Sequence, residues 1–128
     1  IKNFDNLKNL CNSIIESSGV KIILLTNGKK GAILFTKNIC LYAKPPKVNF
    51  KSSIGCGDAF LAGFLYKFKN NKKYDECLKF GVACGAAKAE EEGTKMPSIK
   101  KIIDKLKEVK IYENFNQGLS YSKTFFSP

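Results

Sequence analysis

Phe4, Leu7, Leu10, Cys11, Ile14 and Ile15 recur three and four positions apart, the spacing that lines one face of a helix. Gly19 is placed to end it. Val20 to Thr26 is then an almost continuous apolar run. Its shortness and its β-branched residues predict a strand buried on both faces, as in a parallel sheet. Asn27 and Gly28 break the run. A second strand is predicted from about Gly31 to Thr36. Lys37-Asn38 reads as a tight turn into a third strand, Ile39 to Tyr42. Pro45-Pro46 forces an extended connection. Val48 and Phe50, set among lysines, predict one more short strand.

Helical spacing returns after the small-residue stretch Ser52 to Gly57, with Phe60, Leu61, Phe64, Leu65 and Phe68 forming an apolar face from Asp58 onward. Asn70-Asn71 ends that helix. Tyr74 to about Glu92 predicts a longer helix, rich in Gly81, Ala83, Gly85, Ala86 and Ala87, closed by Gly93. So many small residues imply close packing against a sheet or a ligand. Pro97-Ser98 starts a last helix through Ile99, Ile102, Ile103 and Leu106. Val109 to Phe115 reads as a final edge segment, and no period follows Asn116. The order of elements is that of an α/β protein. The first helix and strand read as the middle of a series already under way, which leaves one side of the sheet unaccounted for.

Composition changes this picture little. The chain of 128 residues is sized for one domain with a real core. No apolar run approaches the ~18 residues of a membrane span, and the first residues lack the pattern of a signal peptide, so the expected compartment is the cytoplasm with no membrane partner. The net charge is +11, but all 22 basic residues are lysines. Base readers rely on arginine, so no nucleic-acid partner is expected. Cys11, Cys40, Cys56, Cys77 and Cys84 form no CxxC pair, and histidine is absent. That pattern predicts reduced, mostly buried thiols and no metal site built by the chain. Acid–base chemistry is left to Asp, Glu, Lys, Tyr or Cys.

Gly55-Cys56-Gly57-Asp58 is the sharpest chemical feature. Two glycines flanking a small residue let the backbone bend so that successive N–H groups converge, and the following helix adds its positive end. Asp58 stands at the rim, where a carboxylate can take a proton from an attacking hydroxyl. Phosphoryl transfer asks little more of a protein. The same residues also fit a plain turn in which Asp58 caps the helix. Neither a GxxxxGK[ST] loop nor a complete dinucleotide fingerprint is present, because Phe60 occupies the third glycine position. Thr26-Asn27-Gly28-Lys29-Lys30-Gly31, at the end of a strand, is placed either for a ligand or as a hairpin loop with solvated lysines. The stripe around Val82, Gly85 and Ala86 is open to the same two readings.

Taken together, these segments resemble the PfkB-type carbohydrate kinases of the ribokinase-like superfamily. The family signature, [DN]TxGAGD before an apolar helix, is similar to Ser52-Ser53-Ile54-Gly55-Cys56-Gly57-Asp58 followed by Ala59 to Phe64. Leu24 to Ala32 looks like the family's nucleotide-binding turn. Ala43 to Val48 is similar to the segment before the signature in 1-phosphofructokinases and tagatose-6-phosphate kinases. Phe80 to Ala86 and Glu92-Gly93-Thr94 match the later helix and its exit. The resemblance implies the C-terminal portion of a three-layer α/β/α domain with a mostly parallel sheet, covering residues 1–115, with 116–128 as a tail.

It also implies roles. Asp58 would be the catalytic base, and the amides of Gly55, Cys56 and Gly57 the anion hole for the migrating phosphoryl group. Thr26, Asn27, Gly28, Lys29, Lys30 and Gly31 would line the ATP phosphates and ribose, and Val82 and Ala86 would contact adenine. Mg²⁺ would ride on the nucleotide, and a monovalent cation is a further candidate, although Ser52 departs from the usual Asp or Asn. The implied reaction is phosphorylation of a sugar phosphate: fructose 1-phosphate first, with tagatose 6-phosphate and fructose 6-phosphate as alternatives. A homodimer is compatible with the family. The family's upstream half carries the sugar-binding residues and lid, so this chain alone is expected to bind sugar poorly and to be inactive. Two other functions stay open from the residues alone: a non-catalytic nucleotide or anion-binding module, and a basic nucleic-acid-binding domain.

Overall fold

The computed structural model describes residues 4–113. They divide into two units, one holding residues up to Lys44 together with the end of the last strand from Tyr112, the other running from Pro45 to Ile111. The tail expected over 116–128 lies outside the described residues.

In the first unit, α1 (Phe4–Ser18) turns Phe4, Leu7 and Cys11 inward. β1 (Ile23–Thr26), β2 (Ala32–Phe35) and β3 (Cys40–Lys44) follow, and β4 (Lys110–Glu113) is the fourth strand in the order β1-β2-β3-β4. Ile33 and Phe35 of β2 and Cys40 and Tyr42 of β3 share one face, and with the α1 residues they make a core that Ile23, Leu25 and Tyr112 border. Phe4 stacks on Phe35 at 6.1 Å and Tyr42 on Tyr112 at 6.2 Å between ring centroids. Alternation puts Ala32, Leu34, Leu41 and Ala43 on the other face, and these too are buried.

Two expectations are corrected here. Ile23 pairs with Phe35 and Ile33 with Tyr42 in antiparallel registers, so β1, β2 and β3 do not form the mostly parallel sheet that the resemblance implied. Their connections, Asn27–Gly31 and Thr36–Ile39, are hairpin lengths, whereas a parallel pair needs a crossover of about a dozen residues or more. β1 is also only half-buried, and Val20 is exposed outside it. The turn at Lys37-Asn38 forms as expected, because the Thr36 hydroxyl accepts from the N–H groups of Asn38 and Ile39.

The second unit is helical. α2 (Cys56–Lys69) and α3 (Tyr74–Ala89) cross closely, and α4 (Ile99–Glu108) packs on α3. A Cβ added to Gly63 would lie 2.7 Å from Cys84 Sγ, and one on Gly81 2.9 Å from the carbonyl oxygen of Phe60. Gly81 and Gly85 of the α3 stripe therefore serve close contact with α2. No strand forms at Val48–Phe50. The amides of Lys51 and Ser52 donate instead to the carbonyl of Ala89, and that of Asn49 to the Glu90 carboxylate, so this segment caps the C-terminal end of α3. Ser98 caps α4 by accepting from the Lys101 N–H. Among the described residues, no helix is long and apolar enough to cross a membrane.

Candidate active site

Ser52 to Asp58 is built by short local bonds. The Ile54 N–H donates to Ser52 Oγ at 3.1 Å, and the Cys56 N–H to the Ser53 carbonyl at 3.3 Å. Gly55 then turns left-handed (φ 75°, ψ 4°), a conformation that glycine adopts without penalty. That turn starts α2 at Cys56, two residues earlier than the sequence pattern indicated.

Gly55 occupies the N-cap position and carries no side-chain acceptor, so the helix end is left open. The Ala59 N–H returns to the Gly55 carbonyl at 2.9 Å. Those of Gly57 and Asp58 have no backbone acceptor among the described residues. The Cys56 amide, expected in the anion-holding set, is already engaged by Ser53. At Gly57 an added Cβ would meet nothing within 4 Å, so the side-chain direction of that residue is open.

Asp58 sits in the first turn of α2 and is exposed. It does not fill the capping position, which removes the simplest structural explanation for a carboxylate here. A carboxylate at a helix N-terminus is favoured by the macrodipole, and this one is open to solvent.

Sequence reasoning missed Lys88. Its side chain is only 3% exposed, yet it lies against this loop: the Cβ position of Gly55 is 3.4 Å from Lys88 Cε and 4.0 Å from Nζ. Nζ donates to the Gly93 carbonyl at 2.7 Å. The signal was available, since Lys88 follows Gly81 and Gly85 by seven and three residues and so falls on the helix face that meets α2.

Cys56 is half-exposed beside that lysine, where burial raises its thiol pKa and the Lys88 charge partly offsets the rise. Burial pushes the thiols of Cys40 and Cys84 up to about 12 and about 11. Burial also raises Cys11 and Cys77. None of the five is a ready thiolate.

In the first unit, Thr26 to Gly31 joins β1 to β2. Gly28–Lys30 makes one 3-10 turn, and the Asn27 N–H closes it on the Gly31 carbonyl at 2.9 Å. Gly31 has φ 105°. Thr26, Asn27, Gly28 and Lys29 are exposed. The Tyr42 hydroxyl donates to the Lys30 carbonyl at 2.7 Å, a support for the turn that its sequence gave no sign of. Val82 and Ala86 stand four residues apart on α3, and both are buried, 7% and 8% exposed.

The match that decides the family covers residues 2–101, which fit the pfkB family carbohydrate kinase model. The chain belongs to this family. As a pfkB family chain it is 43% identical over 90 residues to the 1-phosphofructokinase of Borreliella burgdorferi, covering 67% of this chain and 29% of that protein. It is 29% identical over 94 residues to ATP-dependent 6-phosphofructokinase isozyme 2 of Escherichia coli, covering 73% and 30%. Among solved structures, phosphofructokinase-2 from Escherichia coli in complex with potassium superposes with a TM-score of 0.74 at 26% identity, over 80% of this chain and 33% of that one. A phosphofructokinase structure from Staphylococcus aureus gives 0.78 over 90% and 37%, at 23% identity, a likeness of fold alone. The fold is thus part of a ribokinase-like α/β domain, and the chain spans about 30% of the length of the curated relatives named.

Proposed function

We propose that this chain supplies the phosphate-holding loop and the catalytic base of an ATP-dependent sugar-phosphate kinase. The observation that carries the reading is the open first turn of α2, where the unbonded amides of Gly57 and Asp58 share one helical turn with the exposed Asp58 carboxylate. In this reading the Asp58 carboxylate accepts the proton of the sugar hydroxyl as its oxygen bonds to the γ-phosphorus. The bond from that phosphorus to the β–γ bridging oxygen breaks, and ADP leaves. Negative charge developing on the γ-phosphoryl oxygens is met by the two amides and the positive end of the helix. The Cys56 amide would join them only by giving up Ser53, and Gly55 supplies the bend.

Thr26, Asn27, Gly28, Lys29, Lys30 and Gly31 are assigned to the ATP phosphates and ribose, and Val82 and Ala86 to adenine. Mg²⁺ is assigned to the nucleotide phosphates, where it would supply charge neutralisation. A monovalent cation is assigned to the same loop region as a candidate, in line with the potassium named for the Escherichia coli relative. Fructose 1-phosphate is the first choice of acceptor, because a 1-phosphofructokinase is the most identical of the relatives named. The test is ADP release by the polypeptide as its gene encodes it, with ATP and Mg²⁺ and with fructose 1-phosphate, fructose 6-phosphate or tagatose 6-phosphate. Turnover above the ATPase background with one of them supports the reading, and none with any of the three overturns it.

A further inference from the structure

We propose that Lys88 is a positioning residue that holds the anion-binding bend from beneath and lends it a fixed positive charge; this rests on the kinase reading above. Three observations carry it. The side chain is 97% buried, an unusual place for a lysine unless something holds it there. Its Nζ donates one hydrogen bond, to Gly93 O, and meets no other acceptor in hydrogen-bonding range among the described residues. The stem runs past Gly55, the residue whose left-handed turn opens the first turn of α2.

Lys88 lies in the last turn of α3, whose negative end favours a cation. Of the three acidic residues that follow it, Glu90 pairs with Lys105 and Glu91 with Lys101, and Glu92 makes no ion pair with it. Among the described residues, the ammonium near Gly55 forms no ion pair with a carboxylate. It ties two stretches together, the bend at Gly55 and the exit loop at Gly93. A charge placed there acts on phosphoryl oxygens at the open amides through the bend, without touching them. Its effect belongs to the transition state, where negative charge on the transferred group is redistributed, more than to ground-state binding of nucleotide.

Lys88→Met keeps the stem and removes the charge, while Lys88→Arg keeps the charge. The experiment measures kcat and the KM for ATP in both variants, and the rate at which iodoacetamide modifies Cys56, read by peptide mass spectrometry. Lys88→Met should lower kcat by roughly tenfold to a hundredfold with KM for ATP within about threefold, and Lys88→Arg should recover most of the loss. Alkylation of Cys56 should slow in Lys88→Met, because the thiol loses the charge that favours its thiolate, and recover in Lys88→Arg. A loosened loop gives the opposite sign, faster alkylation. Faster or unchanged alkylation in Lys88→Met, or a wild-type kcat, overturns the proposal. If the parent protein shows no turnover with any sugar phosphate, the kinase reading fails by itself, and the alkylation rates alone decide whether Lys88 charges the bend.

Discussion

The hydroxyl of Tyr42, on β3, donates a 2.7 Å hydrogen bond to the carbonyl of Lys30, in the turn that ends β1. The ring is almost wholly buried, so the turn carrying Gly28 and Lys29 is fastened to the core of the first unit. Tyr42→Phe keeps the ring and removes the bond. It should cost about 1 kcal/mol of stability, seen as a lower Tm. If the turn holds nucleotide phosphates, KM for ATP should rise a few-fold while kcat stays near its original value.

Gly57 and Gly55 make a contrasting pair. A side chain at Gly57 meets no neighbour, so Gly57→Val should change stability little, about the 0.5–1 kcal/mol of helix propensity differences. It should still abolish nucleotide-dependent turnover, because the valine stands where phosphoryl oxygens are proposed to sit. Gly55→Ala faces a left-handed backbone (φ 75°) and should cost ~1–2 kcal/mol. Thermal melts beside turnover assays separate the two.

Gly63 and Cys84 set the α2–α3 crossing. Gly63→Ala forces a Cβ to within 2.7 Å of Cys84 Sγ, an overpacking expected to cost roughly 1–3 kcal/mol. Cys84→Ala removes the obstructing sulfur. The double variant should therefore be more stable than the sum of the single changes, as double-mutant melts will read.

Glu90 gives a pH dependence. Burial favours its neutral form, but hydrogen bonds from Lys105 and the Asn49 N–H, with the charges of Lys105 and Lys101, outweigh that and hold its carboxyl below the ordinary range. A carboxylate whose pKa is lowered by folding adds stability that is fully present above the unfolded value of about 4.3. That stability is lost as pH falls through the folded value. Tm should thus drop between roughly pH 5 and pH 3, and Glu90→Gln should flatten that part of the curve.

Helices α1, α2 and α4 were legible because each shows apolar spacing, as in Phe60, Phe64 and Phe68, and because Gly19, Asn70 and Ser98 mark their ends. The bend at Gly55 was legible because two glycines around one small residue have few other uses before a helix. The direction of β1 was not. Ile23 to Leu25 are apolar in either direction, and only the short connection to β2 decides it. Val48 and Phe50 misled because two alternating apolar residues look like a strand, while the amides around them, those of Asn49, Lys51 and Ser52, find partners at the end of α3. Lys88 escaped notice because a lysine is ordinarily a surface residue. Its burial follows from the closeness of α2, which glycines far apart in the sequence create together.

The central claim is that Asp58 removes the proton of the accepting hydroxyl. The most direct test compares Asp58→Asn with the unaltered protein, measuring kcat for sugar-phosphate phosphorylation and, by calorimetry, the affinity for an ATP analogue. The account predicts a fall in kcat of about 10²–10⁴-fold with nucleotide affinity retained. Turnover within a few-fold of the original, with the nucleotide still bound, would contradict it.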